Sequence, residues 1–60
     1  MEIQVRYKNN NGYGDWEDIN KAKAINILCD FYKEKIVPVM AMLEVTTVKT
    51  IFAEYKIKED

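Results

Sequence analysis

The carboxylates Asp15, Glu17 and Asp18, close together beside Tyr13 and Trp16, are the densest group of chemically capable side chains in the sequence. A cluster of this kind could hold a divalent cation or support a hydrolytic step. The chain contains no histidine, so general acid–base work would fall to carboxylates, lysines or tyrosines. The spacing lacks the Asp-x-Asp-x-Asp-Gly pattern of a calcium loop, and a polar loop leading into a helix accounts for all three residues. Cys29, the lone cysteine, lies in an apolar helical stretch with no histidine to activate it and reads as a buried structural thiol. Gly12-Tyr13-Gly14 is too short for a phosphate cradle and falls in a turn. The chain therefore reads as non-enzymatic, with no cofactor and no metal expected.

Binding is the other chemistry to weigh. Tyr7 with Arg6 and Lys8, and Phe52 with Lys56 and Lys58, place aromatic rings beside cations on strand-like segments, an arrangement that can stack bases. Against a nucleic-acid role, Tyr7 shares a strand face with Ile3 and Val5, and Glu2, Glu54 and Glu59 dilute the positive field. Nine Lys/Arg against ten Asp/Glu give a net charge of −1, which excludes a strongly basic nucleic-acid binder though not a local basic patch.

The secondary structure around these residues is legible in outline. Met1 to Lys8 alternates, with Met1, Ile3, Val5 and Tyr7 on one side and Glu2, Gln4, Arg6 and Lys8 on the other, the period of a half-buried strand. Asn9-Asn10-Asn11-Gly12 turns the chain. Tyr13 to Glu17 can form a short second strand that Gly14 weakens. Trp16 is its inward residue, either folded down as a lid on the sheet or part of an aromatic binding loop. Asn20 is the expected helix N-cap, with Ile19 positioned to staple against Ala24. Pro38 is expected to end that helix. Val39 to Thr46 reads narrowly as a strand, with a short helix that has Pro38 at its first position as the open alternative. Val48 to Ile57 alternates again as the last strand, and Lys58-Glu59-Asp60 is a polar tail. The expected fold is a single α+β domain over residues 1–60, a small antiparallel sheet with one main helix on one face, in β(β)αββ order.

The main helix carries more apolar surface than one sheet can cover. Ala22, Ala24, Ile25, Ile27, Leu28, Cys29, Phe31, Tyr32 and Ile36 cover an arc of roughly 220° on a helix of 3.6 residues per turn. Packing on one sheet needs a stripe of about 100° or a little more. A chain of this size buries only about 60% of its unfolded surface and is marginal alone. A single cysteine makes no internal disulfide, and there is no zinc-spaced set of ligands. Association is the remaining route to stability. A homodimer is thus expected, with Ile25, Leu28, Cys29, Tyr32, Met40, Met42, Phe52 and Trp16 as candidate interface residues. For Met40 and Met42, filling gaps in the core is an equally good reading.

The longest apolar run, Ile36 to Leu43, contains Pro38 and is far short of the ~20 residues of a membrane span. The strand-like start and the single cysteine fit a protein of the reducing cytoplasm. The opening strand, Gly14-Asp15-Trp16-Glu17-Asp18-Ile19, the Ala-rich helix start and Val45-Thr46-Thr47-Val48-Lys49 together resemble small accessory proteins of bacteriophages and prophages. That resemblance implies stoichiometric inhibition of a host protein, antiviral defence components included, inside a bacterial host. It supplies no catalytic residue. A small sheet-based nucleic-acid-binding regulator is the alternative.

Overall fold

The strand periodicity of the first eight residues becomes the centre of a sheet. The computed structural model describes residues 1–59, so Asp60 of the expected tail lies outside the described residues. The elements are β1 (Ile3–Asn9), β2 (Gly12–Tyr13), β3 (Glu17–Ile19), α1 (Lys21–Tyr32), α2 (Ile36–Val45), β4 (Val48–Lys49) and β5 (Ala53–Ile57). All strand pairs are antiparallel. β5 lies beside β1 with Ile3 opposite Ile57 and Val5 opposite Tyr55, and β4 borders β5 on its far side. β2 and β3 share the other flank of β1. Both helices cover one face, so the α+β class holds, while the element order is βββααββ.

The turn after β1 forms as its residues dictate. The Asn9 side chain accepts from the Asn11 N–H at 2.9 Å, and Gly12 takes φ +113°, a conformation that costs glycine little. Pairing then drops out of step. Lys8 faces Tyr13 and Val5 faces Glu17, so three steps along β1 match four on the returning arm. The extra residue is a β-bulge between β2 and β3, in the Gly14–Trp16 stretch.

Asn20 caps α1 as expected, its side chain accepting from the Lys23 N–H at 3.0 Å. The far end differs. α1 stops at Tyr32, well before Pro38, because Lys33 turns left-handed at φ 56° and the Glu34 N–H bonds back to the Cys29 carbonyl at 3.1 Å. This is a glycine-type helix stop built with lysine. Lys33→Gly is expected to raise stability by about 1 kcal/mol, seen as a melting temperature about 4–8 °C higher. An unchanged or lower melting temperature would contradict the assignment.

The segment read narrowly as a strand is helix α2. Pro38 sits in its first turn, where an amide hydrogen has no helical acceptor to lose, and Met40 to Glu44 are strong helix formers. The last strand is also broken in two. Thr50 Oγ1 accepts from the Phe52 and Ala53 N–H groups at 3.2 Å each, closing a turn between β4 and β5. Ile51 and Phe52 therefore stand exposed at its tip and do not continue the strand alternation.

The core lies between the layers. Ile3, Val5, Val48, Ala53 and Tyr55 come from the sheet, Ala24, Ile25 and Leu28 from α1, and Val39 and Leu43 from α2. Tyr7 shares the helix-facing side but lies beyond the helices' cover and is about half exposed. Among the described residues no helix is long and apolar enough to cross a membrane.

Candidate interaction surface

α2 is built almost wholly of apolar side chains. Over Ile36 to Val45 the only charge is Glu44. A helix that is apolar all round belongs in an interior, yet only Val39 and Leu43 are buried. Val37 is 78% exposed and Val45 84%, with Ile36 at 59%. Positions 37, 41 and 45 recur every four residues and so share one face, directed away from the core. Ala41 at the midpoint leaves a low ridge between two valines. Met42 and Val45 border a shallow apolar groove that continues over Tyr32, Thr47 and Val48. On the other flank, Ile36 and Met40 border a second groove with Ala22 and Ile25.

Nothing local props this helix up. Lys35 at the N-cap makes no side-chain capping bond, and the first turn holds no acid to meet the helix dipole. Packing of Val39 and Leu43 carries it. The molecule exposes 4444 Å² in all, whereas a monomer of this size typically exposes about 4,100 Å².

These positions revise the expected interface. Ile25 and Leu28 are buried in the chain's own core, because α2 folds back over α1 and covers the flank that looked surplus. They are unavailable to a partner. Ile36, on the α1 arc by its spacing, instead begins α2. Cys29 is half-buried against the core, and Tyr32, also half-buried, donates its hydroxyl to the Lys49 carbonyl. Met40 and Met42, half-buried, flank the exposed ridge of α2. Phe52, 74% exposed, stands apart on the β4–β5 turn. The surplus apolar surface belongs to α2, and Val37, Ala41 and Val45 were missed. The signal available was a ten-residue stretch with one charge.

The helix-free face of the sheet carries a different cluster. The bulge brings Trp16 over the sheet, where Lys56 Nζ lies 4.5 Å from the ring centre and the Arg6 guanidinium 4.8 Å. Arg6 also lies 4.6 Å from the centre of the Tyr13 ring. Both aromatic rings thus stack on cations, worth about 0.5–2 kcal/mol per contact. Opposite Arg6 in the register stands Glu54, whose side chain is 4% exposed. Arg6 Nε donates to Glu54 at 2.6 Å, and Lys49 Nζ lies 3.4 Å from its other oxygen. Burial alone would raise the Glu54 pKa, but the Arg6 bond and charge, then Lys49, outweigh it and hold the carboxyl below its usual range. Trp16 is in this sense the lid the sequence allowed.

The carboxylate cluster disperses. Asp18 pairs opposite Gln4 and lies 3.6 Å from Lys58 Nζ, while Glu17, opposite Val5, takes the other side of the sheet. Among the described residues no three His, Cys, Asp or Glu side chains gather closely enough to hold a metal ion. Comparison with known proteins places the chain in no group: no family model, no curated protein and no solved structure matches it.

Proposed function

We propose that this protein is a non-enzymatic protein-binding module, homodimeric in solution, that acts by stoichiometric contact with a host protein. Its setting is the cytoplasm of a bacterial host, in the manner of the phage and prophage accessory proteins its sequence resembles. The observation that carries the reading is the outer face of α2, where Val37 and Val45 are 78% and 84% exposed on a helix with a single charge. Contiguous apolar surface of this kind marks contact sites. The short edge strands, two residues in β4 and three in β3, offer little for strand addition, which leaves the helix face as the larger surface.

Sedimentation velocity from about 1 to several hundred micromolar tests it. A dissociation constant in the micromolar range is expected, because one helix face buries roughly 1,000 Å² in total, the low end for a specific complex. Val37→Glu adds an acid to the first turn of α2, which favours the helix, while placing charge on the contact. It should leave the far-UV circular dichroism unchanged and weaken association at least ~100-fold, since two valines lose burial by symmetry. A wild-type chain that stays monomeric at several hundred micromolar defeats the dimer. The host contact is tested by recovery of one partner in equimolar amount from bacterial lysate.

The helix-free sheet face favours one second reading, a nucleic-acid contact through Tyr13, Trp16, Arg6 and Lys56. The numbers weigh against it. Among the described residues of this face, Lys49 and Lys58 face carboxylates within 4 Å and Arg6 is paired with Glu54, leaving Lys8 and Lys56 without an acidic partner. Two cations give a salt dependence far weaker than the six to ten phosphate contacts of an ordinary binder. A gel shift with single- and double-stranded DNA and RNA at low salt is expected to be blank at tens of micromolar protein.

A further inference from the structure

We infer that the outer face of α2 is covered by α2 of a second copy, packed antiparallel about a two-fold axis at Ala41. This rests on the protein-binding reading above and specifies its occupant and register. Three features of α2 converge on a copy of itself.

The ridge is symmetric about its centre: Val37, Ala41 and Val45 put the same β-branched residue four positions to either side of a small one. Antiparallel packing about Ala41 sets each Val37 against the partner's Val45, and the alanine lets the axes approach closely. Val45 borders the groove over Tyr32, Met42 and Val48, which takes the edge of the incoming ridge.

Charge fits the same register. Glu44 sits in the last turn of α2, where the helix dipole disfavours an acid, while Lys35 and Lys33 stand at the start, where it disfavours cations. Among the described residues none of the three has an ion-pair partner. In the antiparallel pair each Glu44 stands level with the first turn of the partner helix, its positive end, and the cations that flank that end, the partner's Lys35 and the partner's Lys33, lie beyond it along the axis. A parallel pair would set like charges together at both ends.

Cysteine cross-linking reads the register directly. Cα atoms lie about 2.3 Å from a helix axis, so axes 8–10 Å apart bring the two Ala41 positions to roughly 3.5–5.5 Å at the crossing. A disulfide spans that distance. In a Cys29→Ser background, Ala41→Cys is expected to oxidise to a covalent dimer. Val37→Cys or Val45→Cys alone should not, because each lies ~12 Å from its own copy along the axis. A mixture of those two variants should link. Val37→Cys linking to itself would establish a parallel pair and overturn the register. Failure of every variant to link, with the chain still dimeric by sedimentation, would move the dimer contact elsewhere. A monomer under all conditions defeats the homodimer itself and leaves a foreign protein as the occupant.

A charge swap checks the pairing independently. Lys35→Glu and Glu44→Lys should each weaken association a few-fold at low salt, because each sets like charges together where opposite helix ends meet. The double variant should restore it. A double variant weaker than either single one contradicts the antiparallel matching of the helix ends.

Discussion

A Leu28→Ala chain is expected to lose about 3–4 kcal/mol, a third or more of its stability. Leu28 is fully buried where α1 meets the sheet and α2. Truncating a leucine there removes its transfer free energy and leaves a cavity, a combined cost of about 2–5 kcal/mol. A domain of sixty residues holds only roughly 3–9 kcal/mol of stability in total. One such loss takes a third or more of it. The contrast is on the same helix: Phe31, three residues on, is 42% exposed, and Phe31→Ala should cost less than ~1 kcal/mol. Urea unfolding followed by far-UV circular dichroism separates the two. Similar midpoints for both variants would mean that α1 does not present Leu28 to the core.

Acid should expose the second large effect, through Glu54. Its carboxyl, held below the usual range, keeps its proton less tightly in the native chain than in the unfolded one. Between the native pKa and the unfolded value near 4.3, the unfolded state binds more protons, so stability rises with pH across that window. The contribution is complete above it and is lost as pH falls through the native pKa. Glu54→Gln should flatten this part of the acid limb. It should also cost about 1–3 kcal/mol at pH 7, less than the loss of a fully buried partner because the Arg6 side chain is 34% exposed. An acid limb unchanged in Glu54→Gln would show that other carboxylates set it.

The parts of this fold that read directly from sequence are those with one local cause. The alternation of Ile3, Val5 and Tyr7 has no helical interpretation, Asn20 can satisfy an amide three residues on, and Asn9 to Gly12 holds the residues a tight turn needs. What was misread had competing causes. Ile36, Val37, Val39 and Val45 favour a strand by propensity, and the tertiary gain of laying Val39 and Leu43 over α1 decided for a helix. The stop at Lys33 carries no glycine or proline to announce it, so spacing alone assigns Ile36 to the wrong helix. The break at Thr50 rests on one hydroxyl capturing two amides. For the surface, the excess of apolar side chains was visible in the composition of residues 22–45, but its location depended on which helix covered which. The Trp16 cluster needed the one-residue bulge, and that is a property of register between strands.

The stacking of Trp16 on Arg6 and Lys56 has a practical consequence. The chain has a single tryptophan, and its indole is held against two cations on the side of the molecule turned away from α2. Its emission will therefore track the docking of the bulged arm onto the sheet and stay blind to events on the helical side. Fluorescence then reports folding alone, and mass-based methods report pairing alone, so the two equilibria of this small chain can be measured apart without attaching a dye.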